Sequence, residues 1–577
     1  MIRCCVLLCG INYETIISGG KVVDGTGADA RRADVAIDGG RITRIGDLSG
    51  EAAGKTIDAS GKIVTPGFVD LHTHLDAQAG WDPQMSPSSF HGVTTAGIGN
   101  CGMTFAPVRK ENKRFLAELM EAVEDISAEA ILDGLPWNWE SYGEYLDTLE
   151  SLDPAINIVG LAGHCAIRYE VMGDKSLDEG VQADDRELIK IVDLVKRSIE
   201  EGAVGISTSR FKNHRMPDGR MVPGTWANER ETRAIQKAIV EAGGRGGLFQ
   251  AVLDVENRFE IDKKMLEDGA EAGCHVVFSN TARGGDDVSH WKEFLDRNNV
   301  DGKKMSSCMH TRPSGSFFGL AQVVFNPTEN VLGPNWEEVM SLMTIPERVE
   351  AMKQPGVREK LITEGKQLEQ FISWAHLLHP LGFDEYPSWD IDHRQTLASI
   401  AEADGKHPIE VYVDRMIQSE GRELWNMWAF GSKLEHQWEL MRAPQVIPML
   451  GDAGAHVGLF TDADSPTFLL SELARDRDVF TLEEAVHRIT AQSAQVLGLK
   501  ERGEIREGWH ADINVIDYDN LKSCHPEFVR DLPLGVGRIV TKSEGYDATL
   551  VAGKILIEKS KMIGDSRGEV IRDFVRG

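Results

Sequence analysis

Gly61-Lys-Ile-Val-Thr-Pro-Gly-Phe-Val-Asp-Leu-His72-Thr-His74 is the stretch on which the fold turns. It is an apolar run that ends in two histidines spaced two apart. Side chains alternate along a strand, so His72 and His74 leave the same face at its end. Two imidazoles so placed can grip one divalent metal. Asp70 and Asp76 flank the pair and are candidates to orient the rings. Exposed strand ends often carry two histidines, so this spacing needs support from the rest of the chain.

Working outward, the run from Ile63 to His72 is the first of eight apolar strand candidates. The others are Thr94–Asn100, Ile156–His164, Ala203–Thr208, Gly247–Val252, Cys274–Asn280, Met305–His310 and Val446–Asp452. Most are followed by an amphipathic helical segment, such as Asp185–Glu201 or Glu229–Ala242. Alternation of this kind implies parallel strands, and eight of them can close an α/β barrel of the (β/α)8 TIM type. Residues from Tyr13 to Asp58 read instead as short strands with Gly and Asp turns. Ala511-Asp-Ile-Asn-Val-Ile-Asp and Ala548-Thr-Leu-Val-Ala-Gly-Lys-Ile-Leu-Ile share that texture, which predicts one small β domain built from both termini. The segment from Pro313 to Pro444 is too long for one loop. It carries helical stretches at Ile345–Met352, Val357–Phe371 and Thr396–Ala403, and is expected to be an inserted lid over the barrel mouth. The expected layout is an extension at 1–12, the β domain at 13–60 and 496–577, and the barrel at 61–495 with its insertion at 313–444.

Composition narrows the function classes. The chain has 577 residues, more than one ordinary domain needs, with 41% hydrophobic and 27% charged residues, as in globular proteins. A net charge of −29 argues against nucleic acid or an anionic membrane as partner. No stretch approaches the roughly 18 apolar residues that span a bilayer. The start, Met1-Ile-Arg-Cys-Cys-Val-Leu-Leu-Cys-Gly10, has too short an apolar core for a signal peptide and reads as an extension. Three of the eight cysteines crowd the first ten residues and the others are scattered, which is no disulfide framework. A cytoplasmic protein is expected.

In such barrels the chemistry sits at the C-terminal strand ends. Read in order, those ends are His72 and His74, Cys101, His164, Ser207 or Thr208, Gln250, Ser279 or Asn280, His310 and Asp452. Packing alone does not explain polar, metal-competent side chains at nearly every strand end. The ring is read as an active site.

Pro66-Gly67-Phe-Val-Asp-Leu-His72-Thr-His74, Gly92-Val-Thr-Thr and Gly508-Trp-His-Ala-Asp-Ile-Asn-Val-Ile-Asp together resemble the amidohydrolase superfamily. More narrowly, Gly99-Asn-Cys101-Gly, Gly163-His164-Cys-Ala-Ile-Arg168 and Gly202-Ala-Val-Gly-Ile-Ser-Thr resemble N-acyl-D-amino-acid deacylases, the D-aminoacylase and N-acyl-D-glutamate or D-aspartate deacylase group. The resemblance runs from about Tyr13 to Arg572. It implies a β-sandwich made from both termini beside the barrel, and a zinc site with His72 and His74 as ligands. It implies that Cys101 is an unusual cysteine ligand, and that Asp452, in Leu450-Gly-Asp-Ala-Gly-Ala-His456, contacts metal and transfers protons.

The chain also departs from that pattern. Related deacylases end the fifth and sixth strands in histidine, where this chain has Gln250 and Asn280, and carboxamides are poor zinc ligands. His275 lies toward the start of its strand, and no lysine ends the fourth. One zinc per chain is therefore expected, held by His72, His74, Asp452 and Cys101. The relatives carry an arginine soon after the eighth-strand aspartate, but Thr461-Asp-Ala-Asp-Ser-Pro-Thr-Phe has none. Arg168, Arg210, Arg283 and Arg312 are the alternative carboxylate clamps. His164, Arg168, Gln250, Asn280 and His310 are expected to touch substrate, although His164 reads equally well as a core histidine. The expected reaction is metal-assisted hydrolysis of an N-acyl-D-amino acid or related small N-acyl compound, with Asp452 as general base and acid. Two alternatives stand beside it: an amidohydrolase acting on a cyclic amide or deaminating a ring, and a barrel that has lost catalysis and binds a ligand. The partner is a small molecule in the first readings, and a homo-oligomer is compatible with all of them.

Overall fold

The computed structural model describes residues 12–254, 259–321, 333–389, 395–564 and 567–576. The extension expected at 1–12 lies, except for its last residue, outside the described residues. At the centre is a curled parallel sheet. Its strands are β1 (Phe68–Asp70), β2 (Val93–Ile98), β3 (Asn157–Gly163), β4 (Gly205–Ser209), β5 (Leu248–Val252), β6 (His275–Ser279), β7 (Lys304–Cys308) and β8 (Val446–Ile447). Each pairs in parallel with the next in chain order. Past the ends of β1 and β8 the two sheet edges also bond. Asp452 donates its N–H to the His72 carbonyl at 3.0 Å, and His74 donates to Ala453 at 2.7 Å. Every residue of β3 is buried, as a strand covered on both faces requires.

The connecting helices bury one stripe each. They include α1 (Lys113–Glu124), α2 (Asp185–Glu200), α3 (Glu229–Gly243), α4 (Phe259–Ala272) and α5 (Gly285–Arg297). In α2, Ile191, Val195 and Ile199 recur every four residues on the core side. Asp184 starts that helix by accepting the N–H groups of Arg186 and Glu187, with Glu187 reaching back to complete a capping box.

Two expected strands come out differently. The run expected from Ile63 to His72 splits at Gly67: Ile63–Pro66 joins another sheet, and only Phe68–Asp70 enters the parallel one. Pro66 has no N–H to donate, and a Cβ on Gly67 would lie 2.1 Å from Thr94 Oγ1, so only glycine lets the chain cross there. The eighth strand, expected over Val446–Asp452, pairs only at Val446–Ile447, because Pro448 cannot continue the ladder.

A seven-stranded sheet mixes both termini. Ile63–Pro66 pairs with Ile513–Ile516 on one side and Lys21–Val22 on the other. A four-stranded sheet of Asn12–Ser18, Asp34–Asp38, Arg41–Gly46 and Ala52–Asp58 adds a second layer. Ile17, Val35 and Ile37 from that layer share one core with Val64, Ile513, Val515 and Leu550. The segment after β7 has a hydrophobic core of its own, including Phe318, Trp336, Leu361, Tyr412 and Trp425. Among the described residues no helix is long and apolar enough to cross a membrane.

Candidate active site

The ends of β1 and β2 and the turn after β8 bring four metal-competent groups together. Donor atoms of His72, His74 and Cys101 all lie within 4.8 Å of one another, and all three residues are buried. Cys101 Sγ is 3.3 Å from His72 Nε2. Asp452 Oδ1 is 3.5 Å from His72 Nε2 and 3.4 Å from His74 Nε2, and has no hydrogen-bond partner of its own. Four ligands around zinc, with bonds of about 2.0–2.3 Å, stand roughly 3.3–3.6 Å apart along the tetrahedron's edges. The Cys101–His72, Asp452–His72 and Asp452–His74 separations match that spacing.

The backbone is shaped to present these groups. Cys101 has φ +55°, Asp452 φ +47° and His456 φ +44°, a left-handed region that non-glycine residues enter at a cost. Asn100 braces the Cys101 turn by donating to the carbonyls of Gly97 and Thr73. Such strain clusters at sites where geometry matters more than stability.

The electrostatics point the same way. Burial lifts the Cys101 thiol to about 11 against the pull of His74, and lifts Glu124 to about 7 despite the same neighbour. Burial holds the His72 imidazole down near 3. For Asp452 the burial penalty is outweighed by His74 and His72, which hold it below the usual carboxylate range. Burial also opposes a proton on His74, but Glu124, Asp452 and Cys101 outweigh it and hold the ring above its usual range. A thiol and two carboxylates around two imidazoles leave the cluster short of positive charge, which a bound cation would supply.

The carboxylates expected to orient the histidine rings do something else. Asp70 accepts the His72 backbone N–H at 3.0 Å, and Asp76 accepts that of Gly99 at 3.0 Å, so both brace main chain. The carboxylate beside an imidazole is Glu124, the last residue of α1, with Oε1 3.2 Å from His74 Nδ1. The sequence reading missed it. Its one signal was an acidic residue at a helix C-terminus, where the dipole disfavours negative charge.

A cavity of about 540 Å³ opens over the cluster. His72, His74, Cys101, Glu124 and Asp452 line one part of it. Val252, Leu253, Phe259, Ala282 and Trp291 form an apolar wall over β5 and β6, and Ala429–Lys433 reach in from the segment after β7. His214 and His456 also line it, two more residues that were not singled out from sequence.

The expected substrate-contact residues divide. Asn280 and His310 line the cavity. Asn280 Oδ1 accepts the Thr281 N–H at 2.8 Å, which fixes the amide and leaves Nδ2 without a partner. Gln250 is buried behind Cys101: its Oε1 accepts the Cys101 N–H at 3.0 Å, and its Nε2 is unpartnered. His164 and Arg168 do not line the cavity, which corrects the expectation for both. Buried Glu231 takes His164 Nε2 at 2.8 Å and Arg168 Nε at 3.0 Å, and the remaining Arg168 nitrogens donate to the carbonyls of Ser176, Pro223 and Val181. A buried carboxylate must be paired, and this pair uses up both residues.

The other clamp candidates sort in the same way. Arg312 is held between Asp462 and Asp464, each at 2.8 Å, with its guanidinium over Trp389. Arg210 binds Asp262 and the carbonyls of Gly224 and Ala227. Arg283 alone of the four lines the cavity, where Lys433 is a second cation.

Two imidazoles, a thiol and a carboxylate at the strand ends of a curled parallel sheet make the kind of site that can hold a divalent cation. The chain belongs to the amidohydrolase family, whose model matches residues 55–557. It is a hydrolase acting on carbon–nitrogen bonds other than peptide bonds. It is 28% identical over 582 residues to an uncharacterized protein of Mycobacterium tuberculosis, covering 94% of this chain and 90% of that one. It is 26% identical over 512 residues to the D-aminoacylase of Alcaligenes xylosoxydans xylosoxydans, covering 88% of each. It shares the fold of an N-acyl-D-glutamate deacylase from Bordetella bronchiseptica, solved with zinc and a phosphonate inhibitor. That match has a TM-score of 0.64 and 23% identity, and covers 97% of this chain and 100% of the other.

Proposed function

We propose that the protein is a one-zinc amide hydrolase that removes the acyl group from an N-acyl-D-amino acid or a related small N-acyl compound. The observation that carries this reading is the buried group of His72, His74 and Cys101 lining the cavity, with Asp452 Oδ1 within 3.5 Å of both imidazoles. Likeness to deacylases supports the substrate class. The curled sheet, with its edges joined beyond β1 and β8, is read as a (β/α)8 barrel. The two sheets drawn from the termini are read as its sandwich domain, and the segment after β7 as its lid.

Zinc held by those four residues would acidify water and polarise a carbonyl. Asp452 Oδ1 faces the imidazoles, which leaves Oδ2 to take the proton from the attacking water and return it to the leaving amine. Asn280 Nδ2 and His310, which line the cavity, would hold substrate oxygens, with Gln250 bracing the Cys101 turn. Arg283 and Lys433 are the cations at hand for a substrate carboxylate. The test is a screen of the zinc-loaded protein against N-acyl-D- and N-acyl-L-amino acids, hydantoins and aminated heterocycles. Release of free acid from the D-series is the expected result. Turnover of the ring compounds alone would overturn the deacylase reading.

A further inference from the structure

Glu124 is a carboxylate in an unfavourable place. It is 2% exposed, and it is the last residue of the twelve-residue helix α1, whose C-terminal carbonyls already carry partial negative charge. Asp452 and Asp76 add more negative charge nearby. Among the described residues its one ion-pair partner is the His74 ring, at 3.2 Å from Nδ1. Burying a carboxylate at such a point costs several kcal/mol unless positive charge offsets it. Among the described residues no lysine or arginine pairs with it. The compensation has to come through His74.

We infer that Glu124 is the positioning residue that sets this site's affinity for a divalent cation. The inference rests on the reading of His72, His74, Cys101 and Asp452 as a metal site. The Glu124 carboxylate, 3.2 Å from Nδ1, electrostatically favours the tautomer that carries its proton there, so that Nε2, the nitrogen facing Asp452, presents its lone pair to the cation. Its charge makes that nitrogen a stronger donor, as carboxylates do behind metal-bound histidines. It also adds one negative charge to a set whose imidazoles are neutral ligands. This is a second source of affinity, beyond the ligands themselves, in a site whose β5 and β6 ends are carboxamides.

Two variants separate the charge from the polar contact. E124Q keeps a polar oxygen beside His74 Nδ1 and loses the charge; E124L loses both. Zinc affinity of the full-length protein is measured by competition with a chromophoric chelator, and melting of each zinc-free protein serves as the folding control. Wild-type protein is expected to bind zinc tightly. E124Q should bind about 10-fold more weakly and E124L up to about 100-fold, with zinc-free melts close to wild type. Equal zinc affinity in wild type and both variants overturns the inference and leaves the metal-site reading standing. Failure of the wild type to bind zinc overturns both.

Discussion

Replacing Asn280 by alanine removes one donor from the cavity wall together with the acceptor of the Thr281 N–H. Its Oδ1 is engaged by the Thr281 N–H, so the amide cannot turn, and its Nδ2 stands buried without a partner. A buried, unsatisfied amide nitrogen costs roughly 1–3 kcal/mol, a cost that a bound substrate oxygen would relieve. The donor lines the same cavity as the His72, His74 and Asp452 cluster, at the end of β6, and its expected contact is with bound substrate rather than with the oxygen that gains charge. A neutral hydrogen bond of that kind is worth about 0.5–1.5 kcal/mol net, or roughly 2- to 13-fold. N280A should therefore raise KM by that factor and leave kcat within about twofold. N280D, which keeps the Thr281 bond but puts a carboxylate in place of the donor, should raise KM further for an anionic substrate. Steady-state kinetics on the best N-acyl substrate, with zinc content measured in parallel, decides the matter. An unchanged kcat/KM, or zinc lost along with activity, would refute the reasoning, the second by making Asn280 a ligand. A fall of 10²–10³ in kcat would place the contact on the transition-state oxygen instead.

D452N should lower kcat by at least about 10²-fold, because the amide cannot accept the proton from water; stopped-time assays over a wide enzyme range would detect it. Extensive dialysis should leave one zinc per chain by elemental analysis, and the double variant Q250H/N280H should raise it toward two, since imidazole replaces a poor ligand at both strand ends. R283A should raise KM for a carboxylate-bearing substrate with no change in melting temperature. R312A should do the reverse, losing about 3–5 kcal/mol of stability as Asp462 and Asp464 are left buried and unpaired, seen as a lower melting temperature.

Much of the site was legible along the chain. His72 and His74 share a strand-end face whatever surrounds them, because the two-residue period is a property of the backbone. The alternation of strands and helices carried the parallel sheet, and the β-like texture of both ends carried the mixed sheet in which Ile63–Pro66 meets Ile513–Ile516. Local chemistry explains where the boundaries moved: Pro66-Gly67 and Pro448 interrupt ladders that hydrophobicity alone would have continued.

The partners of each side chain were not legible. Arg168 and Arg283 are both plausible clamps in sequence, yet one is locked to Glu231 from a helix more than sixty residues on, and the other faces the cavity. Asp70 and Asp76 stand beside the histidines in sequence and bond backbone, while Glu124, fifty residues from His74, meets the ring. The sequence by itself determined which residue types stand at the strand ends, because periodicity and turn chemistry act over a few neighbours. Only the tertiary structure decided which of them converge and which are consumed as structural ion pairs. Burial makes pairing compulsory for a charge, and the partner that satisfies it is chosen by distance in space rather than along the chain.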